Sequence, residues 1–308
     1  MSTRDDKDHS QPRTDRPGAG VWMCPTCRRA CDVSDGVRCE QCGVACEIDG
    51  RIHDFWDMTP RVPFGLYDVL NSLNVGHSEG AEGVTPTWRV RRAMRAVEAW
   101  AGGGASLEIG GGDGAMAPFL EANFESSYSL DVARPFLVKT AAVTTSQILV
   151  VGDALFLPFA DRSMDVVVCM EVMEHLLAPI QFLWEVRRVL KPGGMCYLTV
   201  PYEGALRSAY RRALVRLGAL PWPEDTHVNF FHPTAIRKMA VRCGLEVRSV
   251  STHGSRYSPA ELRQRPRRLP NMVIEALPGM RGMIEAVLTP AENPDRYWRL
   301  FEKQIGRP

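Results

Sequence analysis

The chain has 308 residues, 45% hydrophobic and 24% charged, enough for one full-sized α/β core and a small additional module. No apolar run approaches the ~20 residues of a membrane-spanning helix, so the composition describes a soluble, intracellular, cytoplasmic protein. The net charge of +1 hides an uneven distribution, −3 over residues 21–60 and +8 over residues 201–308, so the N-terminal part offers no basic stripe of the kind nucleic-acid binding needs.

Residues 1–20 are polar, rich in Asp, Arg and Pro, and predict a disordered tail. Cys24-Pro25-Thr26-Cys27 and Cys39-Glu40-Gln41-Cys42 follow, two C-x-x-C pairs separated by eleven residues. Four thiolates so paired suit one tetrahedral zinc, each pair forming a knuckle whose backbone N–H groups bond to sulfur, and Asp35-Gly36 supplies a turn between them. Disulfides are the rival reading, disfavoured because the chain shows no secretory leader. Cys31 and Cys46 each fall four residues after a knuckle's second cysteine, a small quasi-repeat that predicts two buried packing residues outside the metal site. His53 is predicted on the surface. Residues 56–87 read as a linker with a short helix over 67–73. Trp88 to Trp100 has helical spacing of apolar residues, with Arg89, Arg91, Arg92 and Arg95 as a solvated basic face.

The catalytic signal begins at Leu107-Glu108-Ile109-Gly110-Gly111-Gly112-Asp113-Gly114, an apolar strand with an acidic residue running into a glycine-dense turn. Glycines there permit positive φ and let backbone N–H groups approach a ligand. The spacing is not G-x-G-x-x-G and no Lys-Ser/Thr pair follows, which disfavours dinucleotides and nucleoside triphosphates. Further strands are predicted at 127–131 and 147–153, ending in Asp131 and Asp153, and then at 164–170 and 195–200. The apolar run of the fourth suits a parallel strand buried on both faces. A helix ahead of the fifth stops at Lys191-Pro192-Gly193-Gly194. The series is that of an α/β fold built from βαβ units.

Five blocks, LEIGGGDG, YSLDVA, GDALFLPFADRSMDVVVCMEVMEHL, EVRRVLKPGG and HVNFFHPTAIRKMAVRCGLEV, together resemble the class I S-adenosylmethionine-dependent methyltransferases over roughly residues 88–251. The cysteine segment through Phe55 resembles the zinc ribbons ahead of some bacterial methyltransferase domains. The resemblance implies a Rossmann-like sheet with helices on both faces over residues 88–308, behind a ribbon over 21–55 whose metal ligands are Cys24, Cys27, Cys39 and Cys42. It further implies that Glu108, Gly110, Gly111, Gly112, Asp113 and Gly114 line the methionine and ribose part of the cofactor. Asp131 would bind the ribose hydroxyls, Asp153 and Ala154 would meet the adenine edge, and Glu171 would face the methyl-transfer site. The cofactor's sulfonium, ribose and amino-acid groups call for carboxylates and backbone donors, with no phosphate clamp, which agrees with the acids found.

Residues 201–226, with Tyr202 and several arginines, are predicted as a lid over the transferred methyl group, and they leave the acceptor undetermined. The expected acceptor is an oxygen or nitrogen of a small or lipid-linked metabolite, with His227, His175 and Glu171 as catalytic candidates and His227 favoured as base or orienting group. An rRNA or tRNA base methyltransferase whose ribbon contacts RNA is the alternative, and a non-catalytic module holding the cofactor as a structural ligand is a third reading. Beyond the lid, Pro233 to Cys243 predicts a helix closed by Gly244, and Leu245 to Ser251 a sixth strand. An exposed loop at 263–268, an interrupted helix over 271–288 and a final strand or helix over 297–305, where the resemblance implies an antiparallel seventh strand, complete the expectation.

Overall fold

A computed structural model describes residues 21–32, 36–59, 87–100, 103–202, 227–253 and 282–292. The predicted tail, the 67–73 helix, the lid beyond Tyr202, the 263–268 loop and the 297–305 strand lie outside the described residues. The strands are β1 Glu47–Asp49, β2 Ile52–Asp54, β3 Ala105–Ile109, β4 Ser126–Asp131, β5 Ile148–Val151, β6 Met164–Met170, β7 Leu190–Pro201, β8 Leu245–His253 and β9 Met283–Pro290. The helices are α1 Trp88–Trp100, α2 Ala117–Asn123, α3 Arg134–Val143, α4 Pro179–Val189 and α5 Pro233–Arg242. All nine strands join one sheet in the order β1-β2-β5-β4-β3-β6-β7-β9-β8.

The centre of that sheet is built as its sequence dictates. Val166 and Val168 of β6 pack with Val90, Ala93 and Val97 of α1 and Leu120 of α2, while the alternate residues Val167 and Cys169 pack with Phe182, Leu183 and Val186 of α4 and Ile236 of α5. The period of two sends successive side chains to opposite faces, and a helical layer covers each. Strands β5, β4, β3, β6 and β7 run parallel. The order reverses between β3 and β6, which leaves a crevice at their C-terminal ends.

At one edge β9 runs antiparallel to both β7 and β8. This corrects the predicted helix over 271–288, whose last part is strand, and it brings the antiparallel seventh strand of the catalytic sheet forward from residues 297–305. The physical reason is legible afterwards: Pro278-Gly279 divides the segment, and the part beyond carries Ile284, Val287 and Thr289, β-branched residues that suit a pleated surface. Of the expected solvated arginine face of α1, Arg91 and Arg95 are exposed, but Arg92 pairs with Glu285 of β9 at 2.8 Å and Arg89 with Glu171 at 3.1 Å.

The opposite edge belongs to the cysteine segment. Its hairpin β1–β2 extends the catalytic sheet, β2 pairing parallel with β5 from Ile52–Leu149 to Asp54–Val151. Arg51, in the hairpin turn, donates to the carbonyls of Ala141, Thr144 and Gln147 at 2.8, 2.8 and 2.9 Å. The guanidinium thereby satisfies carbonyls that the end of α3 leaves open. Trp22, 1% exposed, packs against the rings of His53, Phe55, Tyr128 and Phe159 at centroid distances of 5.3, 5.1, 5.9 and 5.3 Å. His53 is therefore buried and stacked, contrary to its predicted surface position, because its flat imidazole lies against the Trp22 indole.

Candidate functional site

Gly110, Gly112 and Gly114 all have positive φ, at 69, 56 and 77°, so the turn after β3 follows a path that other residues rarely adopt. A Cβ on Gly110 would collide with the Val172 side chain, so the turn abuts the segment that follows β6. A Cβ on Gly111 would lie 2.8 Å from Ser129 Oγ and 3.0 Å from the Glu108 carboxyl, whereas one on Gly112 would meet nothing within 4 Å. The turn thus leaves backbone bare on one side and presses on buried polar groups on the other.

Those groups are the ones the sequence singles out. Glu108 is 2% exposed, and its Oε2, like Ser129 Oγ, has no hydrogen-bond partner. Burial, then the charges of Asp131 and Asp113, push the Glu108 carboxyl up to about 8. Asp131, at the end of β4, accepts from the N–H of Ala133 at 2.9 Å and of Gly112 at 3.4 Å. Burial raises it to about 6 against the lowering effect of those N–H groups. It does not cap α3, whose N-cap is Ala133. Asp153, 2% exposed, accepts from the N–H of Leu155 at 2.8 Å, and Ala154 beside it is buried. Ser129, Asp131, Glu108 and the glycine turn therefore converge on one end of β3 and β4, where two buried polar atoms, Glu108 Oε2 and Ser129 Oγ, have no hydrogen-bond partner.

The second cluster follows β6. Glu171 has φ +58°, and its carboxylate accepts from Arg89 at 3.1 Å and from Thr199 Oγ1 at 3.3 Å. The chain then forms a 3₁₀ turn, Met173–His175. The Glu174 carbonyl accepts from the N–H groups of Val228 and Asn229 at 2.9 and 3.0 Å, and Asn229 Nδ2 donates to Leu176 O. Those bonds dock the 227–229 loop on the turn and bring His227 to His175, their ring centroids 4.9 Å apart. Glu174, which the sequence reading passes over, lies under both. It is 1% exposed, neither carboxylate oxygen has a hydrogen-bond partner, and burial with the Glu171 charge raises it to about 8. The signal available in the sequence is the spacing Glu171, Glu174, His175, which a turn can bring to one side. Tyr202 faces His232, their ring centroids 5.8 Å apart.

In the cysteine segment, Cys24, Cys27, Cys39 and Cys42 bring their Sγ atoms within 4.8 Å of one another. Cys24 and Cys42 are 3.9 Å apart, Cys27 and Cys39 3.4 Å, against the ~3.8 Å sulfur separation implied by ~2.3 Å bonds around a tetrahedral zinc. Cys42 N–H points to Cys39 Sγ at 3.4 Å. The quasi-repeat is structural: Cys24 N bonds Arg29 O and Cys39 N bonds Val44 O, while Arg28 and Gly43, each following a knuckle, have φ of 62 and 70°. Cys31 and Cys46 are buried outside the four-sulfur group, as expected. The group fits a zinc ribbon.

Residues 107–198 match the family described as a methyltransferase domain. The chain is 27% identical over 215 residues to a ubiquinone biosynthesis O-methyltransferase of Thiobacillus denitrificans, covering 67% of this chain and 83% of that protein. It is 31% identical over 171 residues to a demethylmenaquinone methyltransferase of Renibacterium salmoninarum, covering 54% and 65%. Among solved structures, a chain of the complex between the Haloferax volcanii Trm112 methyltransferase activator and a methyltransferase is similar in fold, with a TM-score of 0.51, 22% identity, and coverage of 67% and 90%. Fold and matched domain define a class I methyltransferase. The chain is an S-adenosylmethionine-dependent methyltransferase of that class, with a four-cysteine ribbon built onto the edge of its sheet.

Proposed function

We propose that the chain methylates an oxygen of a small or lipid-linked, hydroxyl-bearing metabolite. The observation that supports this reading is the docking of His227 on the turn after β6: two imidazoles meet on the segment that the glycine turn abuts, and in this reading they flank the acceptor. The names of the relatives, which concern ubiquinone biosynthesis and demethylmenaquinone, agree with a small acceptor.

In this reading Asp131 accepts the ribose hydroxyls, Asp153 and Ala154 hold the adenine edge, and Glu108, Gly110, Gly111, Gly112, Asp113 and Gly114 surround the methionine and ribose part. The unpartnered oxygens of Glu108 and Ser129 and the bare backbone at Gly112 fit a ligand with cationic and hydroxyl groups. S-adenosylmethionine supplies an activated methyl group on a sulfonium. The residues of this chain hold the acceptor oxygen in line with that group and exclude water, and positioning of this kind is worth up to ~7 to 11 kcal/mol in the best cases. His227 and His175 orient the acceptor, and Glu171, fixed by Arg89 and Thr199, borders the transfer position. Cys24, Cys27, Cys39 and Cys42 hold one structural zinc, a closed site with no open position for chemistry.

The experiment offers hydroxylated quinols, amines and structured RNA to the purified chain with labelled cofactor. A methylated quinol or other small hydroxyl compound supports the reading. Preference for RNA over every small acceptor moves the function to a base methyltransferase.

A further inference from the structure

Among the described residues, Glu174 and Glu108 are the buried acids with carboxyl oxygens that lack hydrogen-bond partners, and Glu174 lies beside two imidazoles. Its side chain is 1% exposed, both oxygens lack hydrogen-bond partners, and the nearest imidazole nitrogen, His175 Nε2, is 3.9 Å away. A bare buried carboxylate is costly unless a cation answers it. Arg89, the one basic residue paired at this end of β6 among the described residues, bonds to Glu171 instead.

We propose that Glu174, His175 and His227 form a divalent-cation site beside the methyl-transfer position, and that the free positions of the cation bind the hydroxyl oxygens of the acceptor. One ligand atom from each residue lies within 4.8 Å of the other two. Three donors around a first-row cation at ~2.0–2.2 Å stand within that span of each other. The three come from segments that are already fixed: Glu174 and His175 from one 3₁₀ turn, His227 from the loop whose next two N–H groups bond to Glu174 O. His175 is 29% exposed, so the site has a buried anionic side and an accessible side. Two imidazoles and one carboxylate suit manganese, iron, cobalt or zinc better than magnesium or calcium, which prefer oxygen. Three protein ligands leave positions open, as in sites where a metal acts as a Lewis acid.

The role of the cation rests on the methyltransferase reading above; the site itself rests on geometry alone. An acceptor hydroxyl bound to the cation loses its proton to solvent more readily. A lone pair of the resulting oxygen attacks the methyl carbon, an O–C bond forms, and the C–S bond breaks with its electron pair going to sulfur. The products are the methyl ether, neutral S-adenosylhomocysteine and one released proton, with no change of oxidation state. His227 then acts as a ligand that positions the acceptor through the cation, the orienting one of the two roles, base or orienting group, expected from the sequence.

Mn²⁺ is titrated into the zinc-loaded full chain, and free Mn²⁺ is read by electron paramagnetic resonance while cofactor binding is measured by calorimetry. Wild type is expected to take up one Mn²⁺ per chain. Glu174→Gln and His227→Gln should each weaken that binding at least tenfold and leave cofactor affinity within twofold. His227 lies on a partly exposed loop, so its variant keeps the test open should Glu174→Gln fail to fold. No Mn²⁺ uptake, or equal uptake by wild type and His227→Gln, overturns the site. Mn²⁺ uptake by a chain that does not bind S-adenosylmethionine overturns the functional reading and leaves the site standing.

Discussion

Asp131 carries two demands that conflict. It must be ionised to accept ribose hydroxyls, yet burial holds its carboxyl up at about 6. Binding should therefore be strongest above pH 6 and weaken about tenfold for each unit below it, since protonation removes the acceptor. Calorimetry of cofactor binding from pH 5 to 8 reads this slope; a flat profile would remove Asp131 from the site. Gly111→Ala tests the turn. A methyl group 2.8 Å from Ser129 Oγ and 3.0 Å from the Glu108 carboxyl must displace one of them. The expected outcome is a folded chain with at least tenfold weaker cofactor binding. At this scale the acids at the strand ends and the glycines are legible in the sequence, because each is a local chemical necessity. Glu174 is not. Its place depends on a loop more than fifty residues downstream closing on its carbonyl, which no local pattern records.

At the scale of elements, β9 owes its place to a buried charge network. Glu285 accepts from Arg92 at 2.8 and 3.1 Å and from Tyr197 Oη at 2.8 Å, and its carboxyl falls to about 2: His253, Arg92 and Tyr197 outweigh the opposing effect of burial. A depressed carboxyl stabilises the fold above its ordinary value, near 4.5, and loses that contribution as pH falls toward 2. The shift corresponds to at most about 3 kcal/mol, reduced by solvent at Arg92, whose side chain is 37% exposed. Glu285→Gln should lower stability by about 1 to 3 kcal/mol at pH 7 and by little at pH 2. Urea unfolding at both values decides it, and an equal loss at both would contradict the ion-pair account. The strands β3 to β7 can be read from sequence because each is a short apolar run bounded by glycine, proline or acid. β9 is harder: Met-Ile-Glu-Ala-Val-Leu suits a helix as well as a strand, and only the pairing with β7 and β8 selects between them.

At the scale of the molecule, the ribbon and the catalytic domain share a sheet and an aromatic cluster. The sequence marks the four cysteines and the domain order, but the parallel pairing of β2 with β5 and the stack of Trp22 on Phe159 arise from contacts about a hundred residues apart or more. Arg28, next to the first knuckle, also bonds to Glu185 of α4 at 2.8 Å. Loss of zinc should consequently destabilise the catalytic sheet as well as the ribbon. Cys39→Ser should lose the zinc and lower the melting temperature of the whole chain, while Cys31→Ser keeps it, as elemental analysis with calorimetric unfolding would show. Full zinc in the Cys39 variant would break the ligand set. The central claim, a cleft at the β3–β6 crevice that holds S-adenosylmethionine, is tested most directly by titrating the cofactor into the wild-type chain and Asp131→Ala. The account predicts one site per chain, with a loss of roughly 1.5 to 3 kcal/mol, at least tenfold, in the variant. Unchanged affinity in Asp131→Ala, or no binding by the folded wild-type chain, would contradict it.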